Sequence, residues 1–228
     1  MKGNPVLSQL ITSYTGGIME AIQRLPLAEL ERVILRLEEA RWKGQRVFTC
    51  GNGGSAITAV HFAADLQKGA MAEGKPVIDS ECLCDNIARF SAWANDTSYE
   101  DVFVGAMKSK VNEGSVLIAI SGSGNSTNVL NAVKAARALG ATTIGFTGFD
   151  GGRLKNLVDI CIVVPSRSME QIEDIHLLLC HLFTYCLRNV PAEEIVKRSS
   201  ENLKQAAGLQ TKETGIKDLR TFEIPAPE

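Results

Sequence analysis

Two histidines and a carboxylate stand where separate parts of the chain could bring them together: His61 and Asp65, four residues apart, and His181 far downstream. At 3.6 residues per turn, His61 and Asp65 share one face of a helix. The chain has only three histidines, and the other two, His176 and His181, share a second helical stretch with Glu170, Glu173 and Asp174. At about 100° per residue, Glu170, Asp174 and His181 fall in a stripe roughly 40° wide, with Glu173 about 60° to one side and His176 further round. Imidazole and carboxylate from two helices can ligate a divalent metal or act as a general acid–base pair. Spacing alone chooses neither, and an exposed acidic helix face is the plain alternative.

Between those stretches lies VLIAISGSGNS, residues 116–126. An apolar run stops at Ser121, and an Ala-rich helical pattern begins after Ser126. The loop carries no acid, base or thiol. It offers the hydroxyls of Ser121, Ser123 and Ser126 and backbone N–H groups around Gly122 and Gly124. Such donors at the positive end of a helix suit a phosphate. A second loop, Gly51-Asn52-Gly53-Gly54-Ser55, also joins a strand to a helix. It fits a dinucleotide fingerprint through Gly51, Gly53 and Ala56, with Asp79 at ribose distance. The better anion site at the serines and the presence of His61 and Asp65 on the following helix argue against that use. A phosphate held at the serine loop, with proton-transferring groups around residues 61 and 181 converging beside it, suits aldose–ketose isomerisation of a sugar phosphate.

The elements that must position these groups are legible from periodicity and punctuation. Residues 5–43 read as two helices parted by Pro26. A strand at 46–50, a helix at 55–68 and a second strand at 76–79 follow. Residues 83–94 read as helix or loop, and Asn95-Asp96 breaks the pattern before a helix at 99–111. Strand 116–121 feeds helix 126–139, ended by Gly140. Strand 142–147, a glycine-rich loop at 148–152, a helical turn at 153–157 and strand 159–164 lead into a long helix at 168–188. A further helix is expected at 191–208, then a polar tail. Near-continuous apolar strands alternating with helices indicate an α/β fold with a doubly wound parallel sheet. In such sheets ligands sit at the carboxyl ends of the strands, so both Gly/Ser loops should open on one rim.

Composition bounds the partners. Apolar content of 45% and charged content of 22% are ordinary for a soluble globular chain. The net charge of -2 gives no reason to expect nucleic acid or an anionic membrane. No apolar run approaches the ~18 residues of a membrane span, and no signal peptide is evident at the N-terminus. The six cysteines, which include Cys82 and Cys84, lack zinc-ribbon spacing and read as reduced apolar residues of a cytoplasmic protein.

Five blocks in order, GNGGSA with HFAADL, NDTSYEDVF, LIAISGSGNS with NVL, IGFTGFDGG, and the acidic-histidine run through His181, make the chain resemble the sugar isomerase (SIS) family, in its sedoheptulose 7-phosphate isomerase branch. The resemblance runs from about residue 7 to 189. It implies a flavodoxin-like SIS domain over residues 1–190 and leaves 191–228 as an extension outside the shared pattern. It also implies a homotetramer with active sites shared between subunits, and a divalent metal, zinc in some members. By position, Asn52, Gly53, Ser55, Asp85, Asn95, Asp96, Ser121, Gly122, Ser123, Ser126, Glu170 and Glu173 would contact substrate. Asp65 and His181 would be catalytic, and His61, Asp65, Glu173 and His181 would hold the metal. Asp65 replaces a Glu, Glu173 a Gln, and Gly122 often a Thr. The added charge at Glu173 would favour a cation. An isomerase of another ketose or amino-sugar phosphate, or a non-catalytic SIS protein that senses a sugar phosphate or binds a protein partner, is the alternative.

Overall fold

The computed structural model of the chain describes residues 4–191. Asn4 caps the first helix, α1 (Pro5–Gln23), its side chain accepting from the Val6 and Leu7 amides, with Pro5 where a missing N–H costs nothing. Pro26 then opens α2 (Leu27–Trp42). Five parallel strands follow: β1 (Val47–Gly51), β2 (Ser80–Cys82), β3 (Val116–Ile120), β4 (Thr142–Thr147) and β5 (Ile160–Val163). They hydrogen-bond in the order β2-β1-β3-β4-β5. This is a doubly wound sheet, as the alternating pattern predicts, in the flavodoxin-like order that the resemblance implies, with its switch point between β1 and β3.

Successive residues of the central strand feed opposite cores. Val116, Ile118 and Ile120 join one cluster with Phe62, Phe146, Leu179 and Phe183. Leu117 and Ala119 join another with Phe103, Met107, Val129 and Val133. This period of two is why both faces need helices. On one face lie α1, α2, α3 (Gly54–Ala64) and α7 (Met169–Asn189). On the other lie α5 (Val102–Met107) and α6 (Thr127–Ala138), with α4 (Ile87–Asp96) laid on it through Phe90 and Trp93. Helix α6 ends as expected: Gly140 at φ +78° lets its own N–H reach the Arg137 carbonyl and the Ala141 N–H reach Ala136.

Several boundaries differ from the sequence reading. The second strand is Ser80–Cys82, not 76–79. Its ladder with β1 starts at Val47↔Ser80, and the apolar Ile78 before it is core filling rather than ladder. This strand hid because it is a polar edge: Glu81 faces Arg46, Arg89 and Lys110 there. Residues 83–94, open between helix and loop, resolve into α4 capped by the Asn86 side chain, and Asn95 and Asp96 close that helix instead of breaking the pattern. The helix expected at 99–111 is a 3₁₀ turn, Tyr99–Asp101, and the short α5. After α3 the chain widens into a π turn, Asp65–Gly69, closed by the Ala70 amide on the Asp65 carbonyl. The helix expected at 191–208 and the tail lie outside the described residues. Among the described residues, no helix is long and apolar enough to cross a membrane.

Two buried polar features brace the face that carries α3 and α7. Glu38 is fully buried and takes Arg41 at 2.8 Å and Lys75 at 3.1 Å. Both cations also donate to the Leu187 carbonyl near the end of α7, and Arg41 donates to Ala70 after the π turn. Removing one partner of such a group leaves uncompensated buried charge. Glu38→Ala is expected to lower unfolding free energy by roughly 3–5 kcal/mol in urea titration. The second feature is His176, buried against Phe146, whose Nε2–H donates to the Thr147 carbonyl at 3.3 Å. Burial pulls its pKa down to about 4 from 6.5. Above pH 6.5 neither state binds the proton. Between 6.5 and about 4 the unfolded chain binds one that the folded chain does not, so stability drops by roughly 1.4 kcal/mol for each unit that the pH is lowered. Urea titrations at neutral pH and near pH 5 should show that His176→Phe loses this increment of the acid sensitivity.

Candidate functional site

The switch point between β1 and β3 opens a crevice at their carboxyl ends, because the chain leaves β1 into α3 on one face and β3 into α6 on the other. Gly51, the last residue of β1, pairs in register with Ile120, the last of β3. The two Gly/Ser loops therefore start side by side. Asn52, in the first loop, bridges the crevice to Asn128 in the first turn of α6. Each amide donates to the other, at 2.8 and 2.9 Å.

The polarity of that bridge follows from one backbone group. The Val129 N–H donates to Asn128 Oδ1, so that atom is oxygen and the Asn128 NH2 must donate to Asn52 Oδ1. The Tyr99 hydroxyl, 2.9 Å from the same Asn52 oxygen, must also donate. Asn52 is thereby oriented with one N–H uncommitted. Asn128 and Tyr99 both lie in blocks that carry the family resemblance, but the sequence reading assigned neither a role in the site. Asn128 is an ordinary helix residue there, and Tyr99 lies 47 positions from its partner.

The serine loop is braced from behind. The Ser121 amide donates to Phe146, Gly124 to Ser121, and Leu154 to Gly124. Arg153, absent from the sequence reading, donates from its guanidinium to the Asn125 carbonyl at 3.0 Å and brings a positive charge to the loop. Ser126 precedes α6 without capping it; its hydroxyl lies 3.3 Å from that of Ser121. Ser55 is buried at the start of α3, while Gly53, at φ +56°, caps that helix. A Cβ on Gly122 would sit 2.5 Å from the Met169 sulfur, so the room a threonine would use there is taken by the first residue of α7.

Helices α3 and α7 run side by side in the same direction, since both return from parallel strands on one face. Glu173 lies against Gly54, His181 against His61, and Thr184 against Gly69. The His61 and His181 Nε2 atoms are 2.8 Å apart, and His61 Nε2 is 3.2 Å from Asp65 Oδ2. All three donor atoms fall within 4.8 Å of one another. Donors around tetrahedral zinc sit about 3.3 Å apart at 2.0–2.1 Å from the ion, so two imidazoles and a carboxylate at these separations fit a divalent cation while leaving a coordination position free. Gly69 supports the geometry: a Cβ there would lie 2.7 Å from Thr184 and 3.3 Å from Asp65 Oδ1.

Other expected residues are placed apart from this trio. Glu173, expected as a fourth ligand, is not in the group; its carboxylate covers Gly54. Eight residues separate it from His181, about 12 Å of helix rise, so it matches the start of α3 and not its end. Asp174 accepts from the Tyr14 hydroxyl, a bond that pushes the Tyr14 pKa up to about 12. Glu170 accepts from Ser168 at 2.6 Å, which lowers its pKa. Asp85 stands before α4 and meets Arg89, while Asn95 donates to Asp96 at the end of that helix.

Comparison with known proteins shows the family to which this fold belongs. The SIS domain family matches residues 13–148. The chain is 40% identical over 174 residues to a phosphoheptose isomerase of Aliarcobacter butzleri, spanning 75% of this chain and 88% of that one. It is 45% identical over 138 residues to a phosphoheptose isomerase of Mycobacterium bovis, spanning 60% and 70%. A solved phosphoheptose isomerase from Francisella tularensis superposes with a TM-score of 0.74 at 27% identity, over 82% of this chain and 98% of that one. With the five-stranded order, the crevice loops and the extent of these matches in agreement, the chain belongs to the SIS domain family, within its phosphoheptose isomerase branch.

Proposed function

We propose that this enzyme converts sedoheptulose 7-phosphate to D-glycero-D-manno-heptose 7-phosphate by moving a proton between C1 and C2. The observation that carries the reading is the meeting of His61, Asp65 and His181 at one end of two parallel helices whose other ends border the serine loop. The histidines do not lie beside that loop. Seven residues of α3 from Gly54 to His61 amount to about 10 Å. An extended seven-carbon sugar phosphate is also roughly 10 Å from C1 to phosphorus, at ~1.3 Å of advance per carbon–carbon bond of ~1.5 Å. Phosphate at Ser121, Ser123 and Ser126 would then leave C1 and C2 near the trio.

In this reading Asp65 takes the proton from C1 and returns it to C2 of the enediol. His181 gives a proton to the C2 oxygen and accepts one from the C1 oxygen. Asn52, held by Asn128 and Tyr99, offers its free N–H to a sugar hydroxyl. A divalent cation, proposed as zinc from the two imidazole donors, would be held by His61, Asp65 and His181 and would supply polarisation of the carbonyl oxygen. The exposed apolar stripe of α1, with Val6, Leu7, Leu10 and Ile11, supports a homotetramer as the working assembly. Six free cysteines support a reducing cytoplasmic setting.

Incubation with sedoheptulose 7-phosphate should yield an aldose signal by NMR. His181→Ala is expected to lose ~100-fold or more in turnover. Because His181 is exposed, its stability should stay within about 0.5 kcal/mol of the parent. An active His181→Ala enzyme would defeat the assignment. Protein purified without chelator should carry a stoichiometric divalent ion by elemental analysis, and His61→Ala should lose it. Asn128→Asp keeps the acceptor for the Val129 N–H but removes the donor that orients Asn52. It is expected to raise KM more than it lowers kcat.

A further inference from the structure

Two thiols that the reaction does not use lie in contact at the sheet edge. Cys82 ends β2, residues 83–84 turn away from the strand, and the Cys82 and Cys84 sulfurs are 3.2 Å apart. Cys82 is nearly covered, yet it borders a groove of about 400 Å³ running between β2 and α3, lined also by Val60, Ala64, Gln67 and Asp85. The hydrogen bond between these two sulfurs is the main reason the Cys82 pKa falls below the ordinary thiol range. Burial opposes this shift. The same bond, with burial, pushes Cys84 up. One sulfur is thus the ready nucleophile and the other holds the proton. Elsewhere Cys50, Cys161 and Cys180 are pushed up by burial and stay protonated.

We propose that Cys82 and Cys84 form a peroxide-reactive dithiol that closes to an intrachain disulfide beside Asp85, the residue the family resemblance would set against substrate. The Cys82 thiolate attacks one oxygen of hydrogen peroxide. The O–O bond breaks, the departing hydroxide takes a proton to become water, and Cys82 becomes a sulfenic acid. Cys84 then attacks that sulfur: the S–S bond forms, the S–O bond breaks, and a second water leaves with the Cys84 proton. The two sulfurs together lose two electrons, and the peroxide gains them. A small oxidant suits the narrow approach to Cys82. Drawing Cys84 toward Cys82 shifts the next residue, Asp85, away from its 3.3 Å contact with Arg89 and disturbs Asn86, the cap of α4. The effect on turnover rests on the isomerase reading; the thiol chemistry does not.

The test treats the full chain with a slight excess of hydrogen peroxide and then counts thiols under denaturing conditions. The expected result is loss of two of the six thiols. Peptide mapping should place a loss of about 2 Da in the peptide carrying Cys82 and Cys84, reversed by dithiothreitol. Cys84→Ser should stop at a sulfenic acid on Cys82 that dimedone traps, while Cys50→Ser should still bridge. Retention of all thiols, oxidation confined to Cys161 or Cys186, or a bridge to Cys50 would overturn the proposal, and the mapping of the unmutated chain decides even where a variant fails to fold. Slower aldose formation by the bridged protein, restored by dithiothreitol, supports the link to Asp85; equal rates would overturn that link. Absence of product from the reduced protein counts instead against the isomerase reading.

Discussion

Helices α3 and α7 lie parallel and in step, and most of what is distinctive here depends on that alignment. It arises because β1 and β5 point the same way and both return their chains along one face of the sheet. Once the helices are in step, each residue of α7 has an assigned opposite: Met169 by Gly122, Glu173 by Gly54, His181 by His61, Thr184 by Gly69. Small residues make the approach close where no chemistry is needed. Glycine at 54, 69 and 122 leaves room for a side chain from α7, and the polar pair His61–His181 stands where the contact reaches the surface.

The alignment is held at its far end by charge taken out of water. Glu38, Arg41 and Lys75 gather the last carbonyls of α7 and the π turn into one buried group. A buried ion group is a poor source of net stability, but the geometry it enforces is specific, because any slip strands an unpaired charge. The crevice end is held by neutral groups. There the Asn52–Asn128 amides are polarised by a single backbone N–H, so the orientation of Asn52 is inherited from the start of α6.

Local departures from the resemblance have neighbours that account for them. Gly122 stands where a threonine is common, and Met169 fills the space. Asp65 is shorter than the glutamate it replaces, and it opens a π turn whose Gly69 brings it against α7. Glu173, whose charge suggested a ligand, instead lies over the start of α3.

The amino-acid sequence by itself determined the alternation of strand and helix, the two Gly/Ser loops at strand ends, and the shared face of His61 and Asp65. All of these are set by contacts within a few residues: apolar period, capping by Asn4 and Gly140, and the turn of one helix. It also placed His181 on an acidic helix, yet it offered Glu170, Glu173 and Asp174 on nearly equal terms. Periodicity tells which side of a helix a residue occupies and nothing about axial register against another helix. The family resemblance already set His181 beside His61 and Asp65, but only the tertiary structure, through the in-step packing of α3 and α7, showed that Glu173 lies over the start of α3 instead of with them. The same holds for β2, whose polar edge residues are strand-forming only because β1 and three cations lie beside them, and for Asn128 and Tyr99, which acquire a role only when chain segments far apart in order meet across the crevice.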